Sequence, residues 1–413
     1  MTVAISRVEH SIAQFRKSLD QKGYAGPHSF IKLPGDVEYR KQVKELIAKK
    51  KKLVPAFIVV VGIGGSNLGA QAVYEALKIA STTPIYFADT VDSQFMAHLL
   101  ARVNDSLAQG EKLLIVTISK SGSTTETIAN FECFLAVLMK HHPNQYYEQV
   151  VVISDEDSPF WKLALSKNFD VLPIPTHVGG RFSVMSAVGL FPLGMAGIDI
   201  EQLCEGAQQI THSCLELNDG NRAALFALVL AQNYAKGIRI HDLFLFDSCL
   251  ESMGKWQRQL IGESLGKPNT HGEPLGITPT VSIGSTDLHS VGQLYLGGPN
   301  DRVTTFVWIE KEDERILIPN MPEFDALVPH IQSKSLHTIM AAIFEGTLKA
   351  YEKANRPFMT IVIPEKNAFY IGQFLQSQMI ATVYLGVLME VNSFDQPQVE
   401  LYKQTTREIL AHE

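Results

Sequence analysis

Short apolar runs alternate with longer stretches of helical period along most of this chain. The runs Ala56–Val61, Pro84–Ala88, Lys112–Ile118, Val150–Ile153 and Val171–Ile174 read as strands. Helix-like stretches such as Leu68–Ile79 and Thr125–Lys140 lie between them. The second half repeats the scheme with strands Asp242–Phe246, Thr280–Ile283, Val303–Ile309 and Met359–Ile363. Helices around Leu250–Leu260, Ser335–Lys353 and Asn367–Glu390 fit between and after those strands. Alternation of this kind is that of parallel sheets flanked by helices, so the fold class is expected to be α/β. Two units of similar construction follow: residues 49–200 and 201–413, after a helical N-terminal segment over 1–48 and with a C-terminal helix. The stretch Asp199–Leu217 would join them. No sequence repeat links the halves.

The length of 413 residues is enough for two or three domains. A net charge of −7 argues against a dedicated nucleic-acid binder, which would carry a basic excess. It leaves room for an anionic metabolite, since a few local cations and backbone N–H groups hold one phosphate. Cys133, Cys204, Cys214 and Cys249 form no CxxC pair and read as reduced core residues. The N-terminus lacks the apolar run of a signal peptide. Phe182–Ile198 carries no charge, but at roughly 17 residues, broken by glycines and Pro192, it reads as a buried helix and turn rather than a span. A cytoplasmic protein without membrane association is expected. The basic run Lys49–Lys52 reads as a solvated helix end.

Two loops then change the picture. Gly62-Ile-Gly64-Gly65-Ser66-Asn67 stops a strand and opens a helix, so its backbone N–H groups can approach an anion. A dinucleotide fingerprint would need glycine where Asn67 stands, and a P-loop would need lysine where Ala70 stands; Asp89 keeps a Rossmann reading open. The second loop, Ser119-Lys120-Ser121-Gly122-Ser123-Thr124-Thr125-Glu126-Thr127, packs six hydroxyls into nine residues at the end of a strand. Ligands bind at such strand ends in open α/β sheets. One helix cap would account for one hydroxyl, not six, so a phosphate seat is the better reading.

Candidate chemistry lies further on. Gln259 and Glu263 are spaced i, i+4 on one helix face, and a carboxylate can abstract a proton alpha to a carbonyl. Arg181 follows Gly179 and Gly180, where a guanidinium could reach a developing enolate. His289 sits in a polar turn after a strand. Taken singly, each also reads as an ordinary surface or loop residue. No His or His/Glu pair has metal-ligand spacing, so no metal is expected.

Together the stretches GIGGSNLG, SKSGSTTET, GGRFSVMSAVGL, QLIGESLGK, STDLHS and FDQPQVELYK, in that order, resemble the glucose-6-phosphate isomerase family, in its compact bacterial form. The resemblance runs from about Lys51 to Lys403 and implies two sugar-isomerase (SIS) domains. It implies Glu263 as the base, Arg181 against the cis-enediolate, and His289 and Lys403 in ring opening. It implies Gly65, Ser66, Ser119, Lys120, Ser121, Thr124, Gly180, Gln259 and Gln396 as substrate contacts, with Glu126 orienting His289. His289 would come from the neighbouring subunit, so a homodimer is implied; no cofactor is. Pro397, Gln398, Tyr402 and Leu265 depart from the family pattern. A non-catalytic sugar-phosphate sensor would have no need of the full acid–base set. A nicotinamide-dependent dehydrogenase is disfavoured by Asn67.

Overall fold

The computed structural model describes residues 2–311 and 314–412. Among the described residues nine strands fall into two parallel sheets, one in each half of the chain. The first comprises β1 (Ile58–Val61), β2 (Ile85–Ala88), β3 (Leu114–Ile118), β4 (Val150–Asp155) and β5 (Asp170–Ile174), in the order β2-β1-β3-β4-β5. In the second half come β6 (Ile240–Leu245), a two-stranded ribbon of β7 (Lys267–Pro268) and β8 (Pro274–Leu275), then β9 (Thr278–Ile283), β10 (Arg302–Ile309) and β11 (Phe358–Ile363). The second sheet is ordered β11-β10-β6-β9. Every neighbouring pair in both sheets is parallel.

Central strands are apolar throughout because both faces are covered: Ile58, Val59, Val60 and Val61 are all buried. One face of the first sheet packs under helices Ser93–Ala108 and Thr125–His141, around Val103, Phe131 and Phe134. Its other face joins a core that runs on to Leu243, Leu245 and Val307 of the second sheet. Phe15, Phe30 and Val43 of the N-terminal helical segment belong to that same core. So do helices Ile200–Cys214 and Ala368–Leu388, which pack on each other. Asp199–Leu217 is therefore a core element as well as a connection. The outer face of the second sheet is aromatic, with Phe244, Phe246, Phe306, Phe344 and Tyr351 buried together.

Ser335 and Asn367, which the pattern includes as first helical residues, are N-caps: their side chains accept from Thr338 N and Tyr370 N. Phe182–Ile198 contains the wholly buried helix Ala187–Met195, and no helix among the described residues is long and apolar enough to cross a membrane. Two expectations need correction. Lys50 is not a solvated helix end; it is 2% exposed, and its ammonium meets the Val150 carbonyl and the Asp170 carboxylate, the latter at 2.8 Å. All four cysteines are free, but only Cys204 and Cys214 are core residues, since Cys133 is exposed and Cys249 half-buried.

Candidate active site

In the first sheet β1 and β3 are neighbours from which the chain runs off in opposite directions, making a topological switch point at their C-terminal ends. The glycine loop after β1 and the hydroxyl-rich loop after β3 both open there. Helix Glu251–Leu265 comes across from the second unit, packed on helix Leu68–Leu77 and on β9. Its buried side presents Met253, Trp256, Leu260 and Leu265, which leaves Gln259 and Glu263 facing the loops. The result is a cleft of about 610 Å³.

Its lining includes Gly65, Ser66, Lys120, Ser121, Thr124, Glu126, Gly180, Arg181, Gln259, Glu263, Gln396 and Lys403. Two expected residues lie elsewhere. Ser119 is buried behind the loop, its Oγ 3.1 Å from Thr124 Oγ1. His289 is exposed in the turn after β9 and does not line the cleft of its own chain.

The glycine loop is built for close approach. Gly64 has φ +59°, a conformation that favours glycine. A Cβ on Gly65 would stand 2.3 Å from the Gly180 carbonyl carbon and 2.7 Å from the Arg181 nitrogen, so the two loops touch backbone to backbone. Gly65→Ala is expected to push the Arg181 loop away, costing on the order of 100-fold in kcat/KM and about 1–3 kcal/mol of stability. Kinetics alongside urea unfolding would check this; parent-like values for both would show that the contact is unimportant.

The hydroxyl loop is not spent on capping. Thr124 occupies the N-cap position of helix Thr125–His141 yet makes no side-chain capping bond. Ser121 Oγ accepts from Ser123 Oγ at 3.1 Å and stays exposed. Lys120 donates to the Thr176 and Val178 carbonyls at 2.6 and 2.9 Å, which ties this loop to the one carrying Arg181. Burial pulls the Lys120 ammonium below the usual lysine range, with nearby Asp155 acting the other way.

Arg181 is 4% exposed and saturated with acceptors. Its Nε donates to Ser264 Oγ at 2.8 Å, and one terminal nitrogen donates to Gln396 Oε1 at 2.9 Å and faces Glu263 Oε2 at 3.4 Å. The other donates to the Ser393 carbonyl and, at 3.2 Å, to that of Asp395. Burial lowers its pKa, and Glu263 and Asp395 oppose that. Glu263 Oε1 accepts from Gln259 Nε2 at 2.9 Å. Helix Val399–Leu410 carries Lys403 over the cleft, with its ammonium 2.8 Å from Glu400.

A half-buried carboxylate held between an amide donor and a guanidinium, in one cleft with an uncommitted hydroxyl loop, suits proton transfer on an anionic substrate. A model of the phosphoglucose isomerase family matches residues 47–413. The chain belongs to that family. As a member it is an isomerase. Glucose-6-phosphate isomerase of Carboxydothermus hydrogenoformans is 32% identical over 412 residues, covering 96% of this chain and 88% of the relative. The crystal structure of a hypothetical protein of Thermus thermophilus superposes with a TM-score of 0.89 at 32% identity, over 99% of this chain and 97% of that one. A glucose-6-phosphate isomerase structure from Chlamydia trachomatis shares the fold, with a TM-score of 0.81 at 21% identity over 98% of this chain and 78% of that one. Two SIS-type units, each a parallel sheet flanked by helices, describe the phosphoglucose isomerase fold seen here.

Sequence reasoning missed Asp155, Lys267 and Arg407. Asp155 lines the cleft two residues beyond the expected end of its strand, where ligands of such sheets bind, and that position was a usable signal. Its buried Oδ1 has no hydrogen-bond partner among the described residues, and burial raises its pKa while Lys120 lowers it. Arg407 follows Lys403 by one helical turn and lines the same wall.

Proposed function

We propose that this chain interconverts glucose 6-phosphate and fructose 6-phosphate through a cis-enediol, in glycolysis and gluconeogenesis. The observation that carries the reading is Glu263, held by Gln259 and facing Arg181, in one cleft with the hydroxyl loop. Ser121, Thr124 and Lys120 donate to the phosphate, while Gly65, Ser66 and Gly180 lie against the sugar. Glu263 takes the proton from C2 of the open-chain aldose and returns it to C1, while the hydroxyl proton passes from O2 to O1. The charge left on oxygen at the enediolate stage falls to Arg181. Lys403 and a His289 from the neighbouring subunit serve ring opening; Glu126 orients that histidine, and Gln396 contacts the substrate. This describes a cytoplasmic homodimer, working without a cofactor, in which each cleft is completed by its partner.

Adding fructose 6-phosphate to the purified protein, with the product coupled to a dehydrogenase, should give steady NADPH formation at a rate proportional to protein. Binding of the sugar phosphate without turnover would instead identify a sensor built on the same fold.

A further inference from the structure

Helix Val399–Leu410 brings Lys403 to the cleft yet buries none of its own residues. Val399 at its start is half-buried against the cleft, but Leu401, Ile409 and Leu410 are all exposed, so beyond its first residue the helix has no apolar anchor among the described residues. Its placement is inherited from the irregular loop before it, residues 392–396, which also carries Gln396.

That loop is held by two buried cations. Arg181 donates to the Ser393 and Asp395 carbonyls. Lys267, 7% exposed and the first residue of β7 just after helix Glu251–Leu265, donates to the Asn392 carbonyl at 2.7 Å, to the Asp395 carbonyl, and to Asp395 Oδ1 at 2.8 Å. Both cations therefore converge on one carbonyl. Phe394, between these points, sits against the rings of His28 at 4.8 Å and Phe182 at 5.5 Å. Two like charges on one carbonyl are costly to bury, and the Asp395 carboxylate offsets only the one on Lys267.

We infer that Lys267 is a positioning residue for the isomerisation: it pins the 392–396 loop so that Gln396 meets Arg181 and Lys403 reaches the substrate. The inference rests on the isomerase reading for its consequence, though not for the tether itself. Among the described residues Lys267 bonds to Asn392 and Asp395 and to none of Lys120, Ser121 and Thr124, so its loss separates turnover from anion binding.

The test compares Lys267→Met and Lys267→Arg with the parent. The methionine variant removes the ammonium and is expected to lower kcat on the order of 100-fold, as displaced catalytic groups do. Competitive inhibition by inorganic phosphate should be unchanged, and arginine should restore part of the rate. Amide hydrogens of residues 397–410 should exchange faster, and trypsin should cut sooner after Lys403 and Arg407. If the methionine variant fails to fold, Asp395→Asn, at a half-exposed side chain, should give the same pattern with a loss of roughly tenfold. A folded methionine variant with parent turnover and parent exchange would overturn the proposal. So would equal losses in kcat and phosphate affinity, which indicate a general role in stability. Failure of the parent to isomerise anything would sink the functional reading while leaving the exchange result to judge the tether.

Discussion

Glu263→Gln is expected to lower kcat by roughly 10³-fold, about 4 kcal/mol of barrier, while KM for fructose 6-phosphate changes little. The substitution keeps shape and volume and can still accept from Gln259 Nε2, now 2.9 Å from Glu263 Oε1. It removes only the ability to take a proton. Arg181 loses a carboxylate at 3.4 Å but keeps Ser264, Gln396 and two backbone carbonyls, so the fold should hold. Coupled steady-state kinetics, with deuterium exchange from solvent into C2 followed by NMR, read the step directly. Turnover within tenfold of the parent, or undiminished exchange at C2, would remove Glu263 as the base.

The same variant tests the assembly. His289 does not line the cleft of its own chain, whereas Glu263 does. If each site takes Glu263 from one subunit and His289 from the other, Glu263→Gln and His289→Leu chains are each inactive alone. Unfolded and refolded together in equal amounts, they should recover about one quarter of parent activity, since half the dimers are mixed and each mixed dimer has one intact site. No recovery in a sample shown to contain mixed dimers would place both groups in one subunit.

The strands were legible because burial on both faces leaves a run of apolar residues and little else. Their edges were less so. β6 starts at Ile240 and β9 at Thr278, two residues earlier than expected in each case, because His241, Thr278 and Pro279 do not read as strand cores. His241 is nevertheless fully buried, its Nε2 2.9 Å from Thr305 Oγ1, and burial lowers its pKa to about 4. Glu263 and Gln259 were legible as a pair because a helix puts i and i+4 on one face. Lys50 and Lys267 were not. A lysine is buried only when distant backbone carbonyls and a carboxylate converge on it, and no local pattern records partners 100 and 125 positions away. His289 is a third kind of case. Its residue type and turn marked it as a candidate, but its proposed work depends on a second copy, so only resemblance to the family gave it a role.

Arg181→Lys is the second variant with a large expected effect, and it separates charge from geometry. Lysine keeps the positive charge but has one nitrogen where arginine presents a planar fork. The arginine reaches Ser264 Oγ, Gln396 Oε1, Glu263 Oε2 and the carbonyls of Ser393 and Asp395 together, which a single ammonium cannot span. Buried acceptors left without donors cost about 1–3 kcal/mol each, so urea unfolding should show a loss of roughly 3 kcal/mol. In catalysis, if Arg181 meets the charge of the enediolate as proposed, its replacement should lower kcat by about 10²–10³-fold. The contrast with Glu263→Gln lies in binding: an aldonate or hydroxamate phosphate that mimics the enediolate should bind the glutamine variant nearly as tightly as the parent, and the lysine variant far more weakly. Equal affinity in both variants would mean that Arg181 serves the 392–396 loop alone, and that the charge of the intermediate is met by some other group in the cleft, with Lys403 the nearest candidate in kind.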